Sequence, residues 1–421
     1  MKKLFVKSAL ISFLAFMGFG SAFAAEFSGD LLSKPKRIFE IGLDAGLAYG
    51  NSNFTLKDIL KKNLEIDLKK LSSEIPDDGF SLGFYNKESV FVKLNINSHF
   101  RFSLFTDVET YGHYSIAKDL FDILGDGMSV GSTKTADLDG GAAGFISLGG
   151  SFQTIIKDFG VKITPTYFAP LFYVPQTTAT ASIKTDSSGE ILAEASANVD
   201  IYTGIDMHDF IENGRHFDDL DLGAGNLLSG GGFDLSLELE RNWLEGLNAG
   251  LYTRIPMVPG TLKHKMSTRV WAYFYETNVL GYLNDTEEHG KDSGHDDFTY
   301  SEEKYNVHRP FKLGLNATYM PFGAWFKIQP ALGFAVKSPY SSDATFYPEY
   351  ALDFRLSLLK RIFNFNLGTA YQNQLFQQRF GFSLNFRALE ILAQASWCGT
   401  TFTSSFTRTG YGAIVGVRIG W

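Results

Sequence analysis

Cysteine is almost missing from this 421-residue chain. Cys398 stands alone, so no internal disulfide can staple the fold. Its alternation with Trp397 places it on the inward face of a strand as a small packing residue. An excess of positive charge is also lacking. The formal net charge is -8, and no basic stripe could follow a phosphate backbone, so nucleic acid is excluded as a partner. No nucleotide-binding loop, zinc-ligand spacing or nucleophile elbow occurs, and the histidines sit mainly in acidic loops or at strand ends, with no serine neighbour that suggests a triad. The sequence therefore implies no enzyme and no cofactor. Long apolar runs are confined to the first two dozen residues, so a membrane location would have to be reached by strands rather than helices.

What the chain does contain fits that route. It has 42 Gly, 39 Phe and 19 Tyr with a mean hydropathy near zero, as expected when a lipid-facing band alternates with a wet interior. Lys2, Lys3 and Lys7 precede an apolar stretch from Ala9 to Phe19, and Ser21-Ala22-Phe23-Ala24 follows. This pattern predicts a secretory signal peptide over 1–24 and a single barrel domain over 25–421. Only about a dozen residues then precede the first strand, too few for a folded N-terminal domain.

The clearest strand is the last. Tyr411, Ala413, Val415, Val417, Ile419 and Trp421 share one face, against Gly412, Ile414, Gly416, Arg418 and Gly420. A terminal strand of this kind closes an outer-membrane barrel against its first strand. Tyr411, Val417, Ile419 and Trp421 are the candidate assembly signal for the barrel assembly machinery. The first strand sets Phe39, Ile41, Leu43, Ala45, Leu47 and Tyr49 against Glu40, Gly42, Asp44, Gly46 and Ala48. Acidic groups on the second face need water, which points that face into a lumen.

Between Thr55 and Leu71 the period changes. Leu56, Ile59, Leu60, Leu64, Leu68 and Leu71 recur at helical spacing until Pro76, with lysines between them. The segment 54–75 is expected to be an amphipathic helix, lying either across a barrel mouth or inside the lumen as a plug, and these six residues are the candidate gate. A second helical patch spans Ile116 to Leu124. Strands are expected at Val90 to Asn97, Phe100 to Thr110 and Gly144 to Phe152, in a Pro-punctuated stretch Val161 to Ser187, and at Ile191 to Tyr202. The acidic segments Gly204 to Gly232 and Asn284 to Asp297 carry histidines but no metal-ligand spacing, and read as solvated connections.

The second half alternates most regularly, with a register disturbance expected at Pro330. Its wet face supplies the candidate lumen residues Asp234, Glu238, Arg254, Lys327, Asp353, Arg355, Arg379, Arg387, Glu390 and Arg418. Short connections at Pro321-Phe322-Gly323, Lys360-Arg361 and Arg387-Ala388 alternate with longer ones. The expected fold is all-β, a transmembrane antiparallel β-barrel of 14 to 16 strands with a short amphipathic helix near the N-terminus. A count of 16 puts Gly204 to Gly232 on the periplasmic side.

The leader, the opening Phe39 to Leu47 strand, Arg254-Ile-Pro-Met-Val-Pro259, Arg309-Pro310-Phe311-Lys312 and the closing Trp421 strand together resemble treponemal outer-membrane barrels. Those proteins have been likened to the FadL family of long-chain fatty-acid transporters. The resemblance implies uptake of small hydrophobic nutrients such as fatty acids across the cell outer membrane, with outer-membrane lipid and a small-molecule ligand as partners. FadL-type proteins carry an N-terminal hatch with an Asn-Pro-Ala motif before the first strand, and the sequence has neither there. A general diffusion porin lined by the charged residues above, and a surface adhesin or structural barrel, are the alternative readings.

Overall fold

The computed structural model describes residues 31 to 421 apart from 34, 36, 56–72, 76, 78, 98, 120, 123–132, 186–190, 209–224, 226–227, 277–288, 342–343 and 408. The expected leader and the six gate residues lie outside the described residues, as do residues 120, 123 and 124 of the second helical patch. Among the described residues, eighteen strands form one antiparallel sheet. They are β1 (Phe39–Asn51), β2 (Phe80–Asn95), β3 (Phe100–Ile116), β4 (Thr133–Ile156), β5 (Phe159–Thr185), β6 (Ile191–Thr203), β7 (Gly232–Leu244), β8 (Leu247–Val258) and β9 (Gly260–Glu276), then β10 (His289–His295), β11 (Thr299–Val307), β12 (Phe311–Tyr319), β13 (Phe326–Lys337), β14 (Thr345–Leu358), β15 (Phe363–Gln372), β16 (Leu375–Asn385), β17 (Leu389–Gly399) and β18 (Tyr411–Gly420).

The pairings make a ring of 14 staves, because several strands are segments of one stave. β6 and β7 descend in line between β5 and the stave of β8 and β9. β8 and β9 ascend in line, and β10, β11 and β12 descend beside them. β18 pairs β1 from Glu40↔Gly420 to Tyr49↔Tyr411 and closes the ring. Trp421 extends that seam. Its carbonyl accepts from the Ile38 and Phe39 amides at 2.6 and 3.1 Å, and its ring lies 4.9 Å from that of Phe39.

Three sequence expectations change here. Gly204 to Gly232 does not join two staves at the short-turn end but interrupts one stave between β6 and β7. His289 to His295, expected in a solvated connection, forms β10 against the upper part of β9. The register at Pro330 is continuous, since Phe326↔Leu356 through Lys337↔Thr345 pair without a shift. Pro330 lacks an amide proton but keeps the parity of Ile328 and Leu332, so nothing is displaced. β5 accommodates Pro165, Pro170 and Pro175 in one 27-residue strand, with irregular pairing to β4 and to β6.

One end of the ring carries short turns at 96–99, 157–158, 245–246, 320–325, 359–362 and 386–388, and the other carries the longer connections along with the two-residue turn 373–374. The outside is apolar around the whole circumference, as Ile41, Leu104, Leu148, Leu239, Leu315, Leu367 and Val415 illustrate; each is two-fifths or more exposed. Exposed aromatics rim both ends of this belt, with Trp243, Phe322, Trp325, Phe386 and Trp421 at the short turns and Tyr340, Phe346, Trp397 and Phe402 at the loop end. The residues with the opposite parity point inward and are polar or small. Several inward glycines answer to aromatic rings on a neighbouring strand. A Cβ at Gly42 would fall 2.2 Å from the Phe91 ring, and one at Gly314 would fall 2.4 Å from the Tyr252 hydroxyl. Rings laid flat over glycines keep the wall thin while filling the lumen.

Candidate functional site

The lumen is crossed at two levels. The upper crossing starts from Pro310, which has no N–H to give to a ladder and therefore breaks the stave between β11 and β12. The freed Arg309 turns inward and reaches two carboxylates on different walls. Its Nη2 donates to Glu109 Oε2 of β3 at 2.8 Å, and its Nη1 donates to Asp234 Oδ2 of β7 at 3.2 Å. Tyr85 of β2 donates its hydroxyl to the second Glu109 oxygen at 3.1 Å. Arg254 of β8 donates from Nε to the Pro310 carbonyl at 3.1 Å, and Lys312 pairs with Glu349 of β14 at 3.1 Å. All of these charged groups are buried, Asp234 completely. Charges so poorly hydrated are tolerable only when paired, and here the pairing ties opposite walls of the ring together.

On the loop-end side of this septum lies an aromatic cluster. Phe145 and Phe168 meet edge to face at 5.7 Å, Tyr111 stacks on Phe145, and Tyr305 packs on Tyr173 and Tyr202 at 5.3 and 4.2 Å. Leu262 and Val307 complete it. The Arg309 guanidinium sits 6.0 Å from the Phe168 ring, so septum and cluster share a boundary. On the far side of Tyr111 a smaller cluster packs Ala48, Tyr85, Leu375, Ile414 and the buried Cys398.

The lower crossing is the chain's own N-terminal segment. Arg37 is buried at the seam of β1, β17 and β18, where it pairs with Glu40 at 2.7 Å and Glu390 at 3.5 Å and donates to the carbonyls of Phe386 and Arg387. From there the chain passes across to the opposite wall. Arg101 of β3 donates to the Ser33 carbonyl, Gln153 of β4 donates to the Leu31 carbonyl at 2.6 Å, and the Leu31 amide donates to Glu240 of β7 at 2.5 Å. Sequence reasoning found no hatch before the first strand. The structure shows that a segment far shorter than a domain occupies that place. It could not be read from periodicity, because its partners lie up to 350 residues away in the sequence.

Beside the lower crossing a polar chamber of about 400 Å³ opens at the short-turn end. Lys327, Arg355, Glu390 and Arg418 line it, and Arg418 pairs with Asp44 at 3.1 Å and Glu390 at 3.7 Å. A smaller hollow of about 240 Å³ above it takes in Glu238, which pairs with Lys162 at 2.6 Å, and reaches Arg254 and Arg309. Arg379 is buried and lies 3.7 Å from Asp353 across β14 to β16. Of the ten expected lumen residues, Arg387 alone stands elsewhere, exposed in the short turn after β16. A charge beside a turn has the right parity but no wall beneath it. Glu109 and Arg309, which build the septum, were not among the expected lumen residues.

Above the belt, β6, β9, β10 and β11 continue into a projecting sheet. Lys265 there bonds Asp200 at 3.1 Å and Glu303 at 3.3 Å. These bonds, that to Asp200 first, hold its ammonium above the usual lysine range.

A closed antiparallel barrel with an apolar outer belt, aromatic rims and a charged, internally crossed lumen defines the class. No family model and no curated protein matches the chain. Among solved structures it is similar to a Pseudomonas aeruginosa FadL homologue, at 10% identity over 96% of this chain and 95% of that one with a TM-score of 0.44. It is likewise similar to the Pseudomonas putida toluene transporter TodX, at 10% identity over 96% of both chains with a TM-score of 0.43. The translocator domain of the autotransporter NalP from Neisseria meningitidis matches at 10% identity over 93% and 91%, with a TM-score of 0.33. Likenesses this distant carry no function, and the reading below rests on the barrel itself.

Proposed function

We propose that this chain is an outer-membrane barrel that passes small hydrophobic nutrients, long-chain fatty acids among them, through a lumen that is closed at rest. The observation that carries the proposal is the double crossing. A general diffusion porin keeps a continuous water path, whereas this lumen is spanned by the Arg309 septum and by Leu31 to Arg37. The outer belt and its aromatic rims support placement in lipid, with the short turns facing the periplasm. The aromatic cluster facing the loop end supports an apolar solute, which would meet Tyr173, Tyr202 and Tyr305 before the septum. The sequence resemblance to treponemal barrels likened to the FadL family agrees with an apolar cargo.

The leucine face of Thr55 to Leu71 belongs to the connection at the same end, between β1 and β2, where a helix could cover the cluster. The test is uptake into proteoliposomes. A fluorescent long-chain fatty acid should enter faster than into protein-free vesicles, and single-channel recordings should show little steady conductance. Large steady conductance with no gain in fatty-acid entry would favour the porin instead.

A further inference from the structure

We infer that the sheet projecting beyond the belt carries a binding site for neutral saccharides, on the face that holds Trp271 and Tyr273. This site lies on the projecting sheet, beyond the aromatic cluster, and does not depend on what the lumen carries.

The geometry begins with Gly294. It pairs with Trp271 across β9 and β10, and a Cβ there would stand 3.2 Å from Trp271 Cζ2. The indole therefore lies over the neighbouring strand with a ring face turned outward instead of standing on edge. Its Nε1 donates to Asp296 Oδ1 at 3.1 Å. Asp296 is itself fixed, since its amide donates to the Arg269 carbonyl at 2.8 Å and its carbonyl accepts from Thr268 at 2.8 Å. Tyr273, two residues along the same face and 42% exposed, is nearly parallel to the indole, at 15° with centroids 6.0 Å apart. Two ring faces thus tile one surface.

The register places polar groups directly beside them. Trp271 pairs with Ser196, which pairs with Thr180, and Tyr273 pairs with Glu194, which pairs with Ser182. Arg269 lies one position below on the same face of β9. Together these groups line a hollow of about 360 Å³. Glu194 and Arg269 take no ion pair among the described residues.

A pyranose ring has the complementary pattern. One face presents C–H bonds that suit the electron-rich face of an aromatic ring, and the rim carries hydroxyls that both donate and accept. A carboxylate accepts from two hydroxyls while a guanidinium donates to others, so the flanking Glu194 and Arg269 match vicinal diols. Two carboxylates against one guanidinium select against acidic sugars. Bulk apolar ligands are disfavoured too, because they would strip water from these charges with nothing in return.

The experiment uses the full-length barrel in a non-glycosidic detergent, since a maltoside would compete. Calorimetric titration with maltotriose, chitotriose and lactose is run beside a heparin tetrasaccharide. At least one neutral sugar should bind saturably, and Trp271→Ala and Tyr273→Ala should each weaken it by about tenfold or more, corresponding to about 1.4 kcal/mol. Trp271→Phe should retain part of the affinity, and Trp397→Ala, on the opposite side of the ring, should retain all of it. Heat-modifiable migration confirms that each variant is folded. The inference is overturned if no neutral sugar binds, if only heparin binds, or if folded Trp271→Ala and Tyr273→Ala bind as tightly as the native chain.

Discussion

Replacing Arg309 by Met should both destabilise the barrel and open it. Arg309 is buried and holds Glu109 at 2.8 Å and Asp234 at 3.2 Å from walls five and two staves away around the ring. Removing the guanidinium leaves two carboxylates facing each other in a poorly hydrated place. Breaking a buried ion pair from one side costs about 3–5 kcal/mol. The loss should fall toward the lower figure, because water can follow the cavity in from the chamber beneath. The triple variant Arg309→Met with Glu109→Gln and Asp234→Asn should recover most of that loss, since no uncompensated charge remains. Urea titration of folded barrel in lipid vesicles measures the stability, and planar-bilayer recording measures the opening. Both Arg309→Met and the triple variant should conduct more than the native chain, because neither spans the lumen. If Arg309→Met is as stable and as silent as the native protein, the septum is not what closes the lumen.

Loosening the lower crossing by Glu240→Ala with Gln153→Ala should free Leu31 and expose the segment before Arg37 to protease added on the short-turn side, with a smaller rise in conductance. Arginine placed at Val415, on the belt, should cost about 2–4 kcal/mol in urea titrations if the site is near the bilayer midplane. Arginine at the inward Gln394 should cost much less, and equal costs would refute the assignment of faces. Deleting Ile419 to Trp421 removes the carbonyl and ring that clasp Ile38 and Phe39, and should leave the protein unassembled, without heat-modifiable migration. Serine at Leu60, Leu64 and Leu68 should speed entry of a hydrophobic probe if the expected helix covers the loop-end cluster, and unchanged entry by a folded barrel would remove that role.

The parts of the fold visible in the sequence are those where one face meets an apolar medium and the other meets water. β15 and β18 alternate without interruption, so their residues sort by parity alone. Where a strand rises beyond the belt, its two faces no longer divide into lipid-facing and water-facing sets, and the signal weakens. Lys263, Lys265, Ser267 and Arg269 alternate along β9, and β11 reads Ser301-Glu302-Glu303-Lys304, so neither was recognisable as a strand. Stave number was ambiguous for the same reason, since β6 and β7 read as separate strands while β10 and β11 were not read as strands. The walls of the lumen could be inferred from charged residues at inward parity. The septum could not, because it depends on Pro310 releasing Arg309 toward a carboxylate 200 residues away.

The central claim is a membrane barrel closed to water yet open to apolar solutes, and paired transport in proteoliposomes tests it most directly. Vesicles carrying the native chain should take up a fluorescent long-chain fatty acid faster than empty vesicles while failing to swell in isosmotic arabinose. Rapid swelling in arabinose, with fatty-acid entry no faster than in empty vesicles, would contradict the account.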